Sequence, residues 1–404
     1  MEQKKRIIFI LNPISGTHSK EEIPNLIDST LDKEQYDYEI RFTEYAGHAA
    51  EIAHDAAQAH IDIVVAVGGD GTVNEVARSL THTDTALAII PCGSGNGLAR
   101  HLCLPLDIKK AIQVINQGRI ETFDYGVINE LPFFCTCGMG FDAFISLKFA
   151  EAGKRGPITY VENVLKEGLK YKPERYEVED ETGAHKYKAF LIACANASQY
   201  GNNAYIAPGA TMKDGEMDVI IMEPFDVLDA PQMAADLFMK TLGNNSKIKT
   251  FRTKKLHIHR KEPGAIHYDG DPIMMGSDID VHIEHQGIRI LTNPEAKEDK
   301  GQPNFLLNAF SDLFNNINNV REDIEKRGKR IQRVIRCCFV NSRSYDMWQE
   351  LAVSIVLVAA VGYAGYRIYR TLTDKNEACK GCPLAENCTK KKGCKNCGSD
   401  CCKC

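Results

Sequence analysis

Val65-Ala66-Val67-Gly68-Gly69-Asp70-Gly71-Thr72-Val73-Asn74-Glu75 reads as a strand that breaks into glycines and re-forms as a helix. Glycines let a backbone approach an anion closely, and the first turn of a helix offers unpaired N–H groups and the positive end of the macrodipole. Phosphate suits such a turn. A plain tight turn would account for the glycines but not for an acidic residue among them. Asp70 would repel a phosphate unless a Mg²⁺ lay between, so the segment points to a metal–nucleotide complex. Two further turns have the same character, Asn12-Pro13-Ile14-Ser15-Gly16 and Pro91-Cys92-Gly93-Ser94-Gly95-Asn96-Gly97. In an open parallel sheet all three emerge at the carboxyl edge, where ligands bind. No GxxxxGKS or GxxxxGKT sequence occurs, and Gly69-Asp70-Gly71 lacks the third glycine of a dinucleotide fingerprint.

Outward from these turns, apolar runs at 7–11, 61–67 and 86–90 alternate with helical spacing at 51–59 and 73–80, which predicts an α/β domain with a parallel sheet over 1–129. Thr72 and Glu75 have the spacing of a capping box opening the second helix. From residue 130 the pattern changes to strands divided by turns, at 176–178, 189–195, 217–222, 255–258 and 281–283, with helical stretches at 160–169 and 232–242. A second, mainly β domain is therefore expected over 130–293. Residues 294–346 combine a charged, Pro-flanked linker with an amphipathic and basic helix. A candidate transmembrane helix follows at 347–370, and a Cys-rich tail at 371–404.

The 404 residues, 44% hydrophobic and 25% charged, suffice for two cores and an extension and exclude wholesale disorder. A net charge of −5 supplies no global basic field, which argues against nucleic acid as a main partner. Lys4, Lys5 and Arg6 run straight into the first strand, so no secretory signal is read and a cytosolic location is expected. Of the 15 cysteines, eight lie between Cys379 and Cys404; Cys92, Cys103, Cys135, Cys137 and Cys194 read as small core residues in a reducing compartment. His48, His54, His60, His101 and His267 show no metal-ligand spacing and read as surface or packing residues.

The segments NPISG, GGDGTVNEV and PCGSGNGLAR resemble the catalytic domain shared by diacylglycerol kinases, sphingosine kinases and their bacterial lipid-kinase relatives. The likeness continues in order through Asn196, Tyr200-Gly201-Asn202, Ala207-Pro208-Gly209-Ala210, Asp214-Gly215-Glu216-Met217-Asp218 and Tyr268-Asp269-Gly270-Asp271, and covers 5–293. It implies two domains, ATP against the GGDGT turn, and a lipid entering between them. Carried over by position, Asn12, Pro13, Ser15, Gly16, Thr43, Gly69, Asp70, Gly71, Thr72, Asn74, Glu75 and Ser94 would contact nucleotide. The resemblance also implies a Mg²⁺ held by Thr211, Asp214 and the carbonyl of Glu216, with Asp271 as proton acceptor. The family usually has Glu at that last position. Asp is one methylene shorter and needs the hydroxyl or a bridging water closer, so Asp70 and Asp269 stand as competing catalytic candidates.

The basic run 326–336 reads by default as a solvated helix face, with anionic lipid head groups as its functional alternative. Residues 351–366 carry no charge and are flanked by Trp348, Arg367 and Arg370, which favours a membrane span. Beyond it, Cys379xxCys382 and Cys394xxCys397 give a thiolate–metal signal, with disulfides or a merely accessible thiol cluster as the alternatives. From Met347 onward the chain resembles small cysteine-rich membrane proteins found with ferrous-iron transporters. The expectation is thus a kinase using ATP and Mg²⁺ on a lipid hydroxyl, diacylglycerol or a sphingoid base, cytoplasmic and associated with the inner membrane by surface contact or a single span. A homodimer and a metal on the tail are left open. The rivals are NAD kinase, which shares a GGDGT turn, and a membrane-tethered metal-binding or iron-uptake accessory protein with an inactive kinase domain.

Overall fold

A computed structural model describes residues 4–13, 21–152, 171–226, 229–293 and 296. The expected helix at 160–169, the amphipathic and basic stretch, the candidate span at 347–370 and the Cys-rich tail lie outside these residues. Among the described residues, no helix is long and apolar enough to cross a membrane.

The N-terminal part runs β1 (Lys5–Leu11), α1 (Ile23–Thr30), β2 (Tyr36–Phe42), α2 (His48–Gln58), β3 (Ile63–Gly68), α3 (Asp70–Leu80), β4 (Ala86–Pro91), α4 (Gly97–His101) and α5 (Ile108–Gln117). Strands β2, β1, β3 and β4 lie side by side in that order, all parallel. Strand β3, IVVAVG, and strand β4, ALAIIP, are buried at every residue, as central strands covered by helices on both faces must be. The chain leaves β1 toward β2 on one side and β3 on the other, so the turns after β1 and β3 flank a topological switch point.

The strands β5 (Arg119–Ile128), β6 (Leu131–Phe133) and β7 (Thr136–Gly140) lead through α6 (Phe141–Ala152) into β8 (Glu174–Asp180), β9 (Gly183–Ala189), β10 (Leu191–Ala195) and β11 (Met217–Met222). Then come α7 (Ala230–Phe238), β12 (Ile248–Thr253), β13 (Lys255–Arg260), β14 (Gly264–Tyr268), β15 (Asp271–Met275) and β16 (Asp278–Thr292). Strands β12-β11-β10-β7-β14-β15 form a six-stranded sheet, and β16, β13, β8 and β9 continue the first sheet beyond β4. The contact is made at Ile290 of β16 opposite Leu87 of β4.

Strand β10 shows why the two sheets stack. Its odd members Leu191, Ala193 and Ala195 enter one apolar cluster, with Ile220 and Met233, while Ile192 and Cys194 enter another, with Ile258 and Val281. A period-2 chain thereby buries both faces, one against the first sheet's extension and one against α7. The expected run at 189–195 is in fact two strands, broken at Phe190, whose N–H donates to Met222 O at 2.7 Å. Likewise the expected helix at 232–242 is α7, after which residues 242–244 tighten into a single 3₁₀ turn.

Candidate functional site

Helix α3 begins at Asp70 with Gly69 at its N-cap, so Thr72 sits inside the first turn and no side chain caps it. The capping box expected from Thr72 and Glu75 is therefore absent. The reason is steric: a Cβ on Gly68 would come within 2.5 Å of Thr72 Oγ1, and only a glycine turn lets the helix start this early. Thr72 is buried against the end of β1, where Asn12 Nδ2 donates to its Oγ1 at 3.2 Å. Thr43 N–H in turn donates to Leu11 O at 3.0 Å, and Cys92 N–H to Gly68 O at 2.7 Å. The carboxyl ends of β1, β2, β3 and β4 are thus laced together, and Asn12, Thr43, Gly69, Asp70, Gly71 and Thr72 come to one edge.

Asp70 connects two of these turns. Its carboxylate accepts from Gly97 N–H at 2.6 Å and Asn96 N–H at 2.8 Å, so the start of α3 holds the start of α4. Burial pushes its carboxyl up, opposed by these amides and by the Arg100 guanidinium. The turns touch backbone to backbone: a Cβ on Gly93 would lie 2.7 Å from Gly69 Cα, and one on Gly95 would lie 2.7 Å from Asp70 Oδ2. Glycines are needed here for close packing of two turns as much as for a ligand. Ser94 is exposed at the tip of its loop. Asn74 is buried, and its Nδ2 has no hydrogen-bond partner among the described residues, which leaves a donor near the uncapped start of α3. An orphaned amide beside free helix N–H groups fits a phosphate. Ser15 and Gly16 lie outside the described residues, Pro13 follows Asn12 at the end of β1, and Glu75 is half-buried one residue past Asn74.

The second carboxylate group sits on the hairpin of β14 and β15. Tyr268 pairs with Asp271, which leaves Asp269-Gly270 as a two-residue loop with φ of 52° and 89°, the positive values a type I′ turn requires. Asp269 points inward. Its Oδ2 accepts from Phe134 N–H at 2.7 Å, and its Oδ1 accepts from Cys135 N–H at 2.7 Å and Thr136 N–H at 3.0 Å. Burial pushes its carboxyl up to about 6 in spite of these three donors and Arg78. Asp271 points outward: its side chain is 53% exposed, and Oδ2 accepts from Arg78 NH2 at 3.3 Å. Beneath the loop, His267 is buried, its Nε2 3.0 Å from Asp142 Oδ2, while Gly270 N–H lies 3.4 Å from Nδ1. With Nδ1 facing a donor, the proton belongs on Nε2.

The carboxylates of the loop expected to hold Mg²⁺ are engaged from within the chain. Asp214 is engaged by the guanidinium of Arg252, which also lies 3.6 Å from Glu216 and 3.8 Å from Asp218. Arg252 stands directly across from Asp218 in the pairing of β11 with β12, so its position follows from strand register. Thr211 is exposed, and among the described residues no three His, Cys, Asp or Glu gather as a metal cage. A positive side chain neutralises the loop where a cation was expected.

Several polar residues here escaped sequence reading. Asp124, fully buried on β5, accepts from Gly215 N–H and Gln286 N–H, each at 2.7 Å, and lies 2.7 Å from His285 Nδ1. Arg100 links the 91–97 loop to the 200–203 turn, donating to Gly95 O at 3.0 Å and Asn203 Oδ1 at 3.1 Å. Arg78 was legible in principle, since it stands four residues after Asn74 on one helix face. Nothing in the local sequence around Asp124 marks it.

Residues 6–128 match the diacylglycerol kinase catalytic domain, and residues 136–291 match the YegS C-terminal NAD kinase beta sandwich-like domain. The diacylglycerol kinase of Bacillus subtilis (strain 168) is 25% identical over 272 residues, covering 66% of this chain and 90% of the relative. A "Probable lipid kinase YegS-like" of Pectobacterium atrosepticum is 27% identical over 280 residues, covering 68% of this chain and 91% of the relative. A solved diacylglycerol kinase structure from Bacillus anthracis str. Sterne superposes with a TM-score of 0.58 at 19% identity, over 73% of this chain and 98% of that one, and so shares the fold. The Cys-rich tail lies outside both matched segments. With both segments matched in order, the chain carries a diacylglycerol kinase catalytic domain followed by a YegS C-terminal domain, the pairing of the lipid kinases it resembles.

Proposed function

We propose that the chain transfers the γ-phosphoryl group of ATP, supplied as its magnesium complex, to the hydroxyl of a diacylglycerol or sphingoid base, with Asp271 as proton acceptor. The observation that carries this reading is the unequal use of three carboxylates. Asp70 accepts two backbone amides and Asp269 accepts three, so both spend their oxygens on holding turns together. Asp271 alone among them is more than half exposed. A proton acceptor must reach the substrate's proton, and geometry precedes acidity in choosing it.

In the proposed step the hydroxyl oxygen attacks the γ-phosphorus, the bond to the β–γ bridging oxygen breaks, ADP departs and the proton passes to Asp271. Positioning supplies most of the acceleration. The nucleotide's phosphates would lie against the 68–72 turn and the start of α3, with Asn12, Thr43 and Ser94 at its margins and the Asn74 amide as a further donor. The tail would set the location at the inner membrane, whether by a span at 347–370 or by surface contact.

The test is transfer of label from γ-labelled ATP to diacylglycerol, sphingosine, ceramide and NAD. Asp271→Asn is expected to slow transfer by about 10²- to 10⁴-fold, the size of a lost general base, and Asp271→Glu, the residue more usual in the family, to keep much of it. Full activity in Asp271→Asn would move the role to another group. The match of 136–291 to a domain described as NAD kinase-like gives the NAD arm its place; label on NAD alone would replace the lipid reading.

A further inference from the structure

We infer that Arg78 is the positioning residue of Asp271, clamping the β14–β15 turn onto the last turn of helix α3 and so fixing the direction of the proton acceptor's carboxylate. This rests on the reading that Asp271 accepts the hydroxyl proton. Arg78 lies in the last turn of α3, whose first turn is the glycine-rich phosphate turn. Its guanidinium makes two contacts with one hairpin: NH2 donates to Asp271 Oδ2 at 3.3 Å, and the guanidinium carbon stands 4.4 Å over the ring of Tyr268. Tyr268 and Asp271 are the two residues that pair to close the Asp269-Gly270 loop. One side chain therefore grips both stems of the turn.

The arrangement is not explained as a stabilising ion pair. With Asp271 53% exposed and Arg78 23% exposed, such a pair contributes little to folding. Meanwhile the other edge of the guanidinium is costly, because Arg78 Nε is buried with no partner among the described residues. A cation placed at such a loss, on the face of α3 that also carries Asn74, is accounted for by what it orients. Lysine could keep the charge but not the planar stack on Tyr268 together with a fixed N–H direction. Both of its guanidinium contacts go to the hairpin, so Arg78 acts through Asp271.

The test is a double-mutant cycle on the full chain with Arg78→Ala, Arg78→Lys and Asp271→Asn. Arg78→Ala is expected to lower kcat by about 30- to 100-fold, a size typical of losing general-base alignment, with KM for ATP within about threefold. Arg78→Lys should recover part of the loss, and Arg78→Ala combined with Asp271→Asn should be no slower than Asp271→Asn alone. Unchanged kcat in Arg78→Ala, or an additive loss in the double variant, overturns the proposal. A wild type that labels no acceptor would count against the kinase reading instead. Amide exchange at 267–272, which needs no turnover, then decides: it should quicken in Arg78→Ala and Arg78→Lys, and unaltered exchange overturns the clamp.

Discussion

Asp70, Asp269 and Asp271 are the same side chain put to different uses by what surrounds them. An aspartate in a glycine turn can serve a metal, a proton or its own backbone, and only neighbours separate these. Asp269 illustrates the third use, since three amides converge on it from the 134–136 segment. Because its folded carboxyl is raised to about 6 from 3.8, the folded protein binds a proton that the unfolded chain releases. The stability this contributes is complete below about pH 4 and lost as pH rises through about 6. The stability advantage of wild type over Asp269→Asn should therefore grow as pH falls from 7 to 4, by up to about 3 kcal/mol. Urea melts at pH 4, 5, 6 and 7 measure it, and a pH-independent difference would refute the assignment.

At the level of elements, the loop joining the 211–214 segment to β11 departs from the family expectation for a physical reason. Register places Arg252 of β12 opposite Asp218, and its guanidinium reaches Asp214 and Glu216 as well. The loop's negative charge is thus met from within the chain. Removing or adding divalent cation should leave the melting temperature of nucleotide-free protein within about 1 °C, since an ion that binds the folded state would raise it by mass action. Arg252→Gln should melt lower and gain a response to Mg²⁺. Stabilisation of wild type by several degrees with Mg²⁺ and its loss with EDTA would show that the metal belongs there after all.

For the whole molecule, the matched family segments end at 291, and the described residues run to 293 and include 296. All the residues assembled at the nucleotide edge and the hairpin precede that point. A protein ending between Asn293 and Ser344 is therefore expected to fold and to transfer phosphate to detergent-dispersed lipid with kcat within about twofold of the full chain, while leaving the membrane pellet for the supernatant. Calorimetry, turnover and sedimentation of the two proteins check this together. Loss of turnover in a folded, monodisperse truncation would place the tail in the catalytic unit.

Much was legible in the order of residues. The glycine turns, the full burial of β3 and β4, the bounds of β11 and the candidate carboxylates follow from local rules, because a turn whose backbone is closely approached or a strand covered on both faces restricts which side chains can occupy it. Tertiary structure alone decided which carboxylate is spent on backbone amides, since the 134–136 segment meets Asp269 across more than a hundred residues of chain. It likewise decided that β16 returns to lie beside β4, that Asp124 is buried under two distant amides, and that Arg252 sits where a cation was expected. Long-range hydrogen bonds and strand register leave no periodic trace in sequence, because the partner that satisfies a polar group can come from anywhere the fold brings near it.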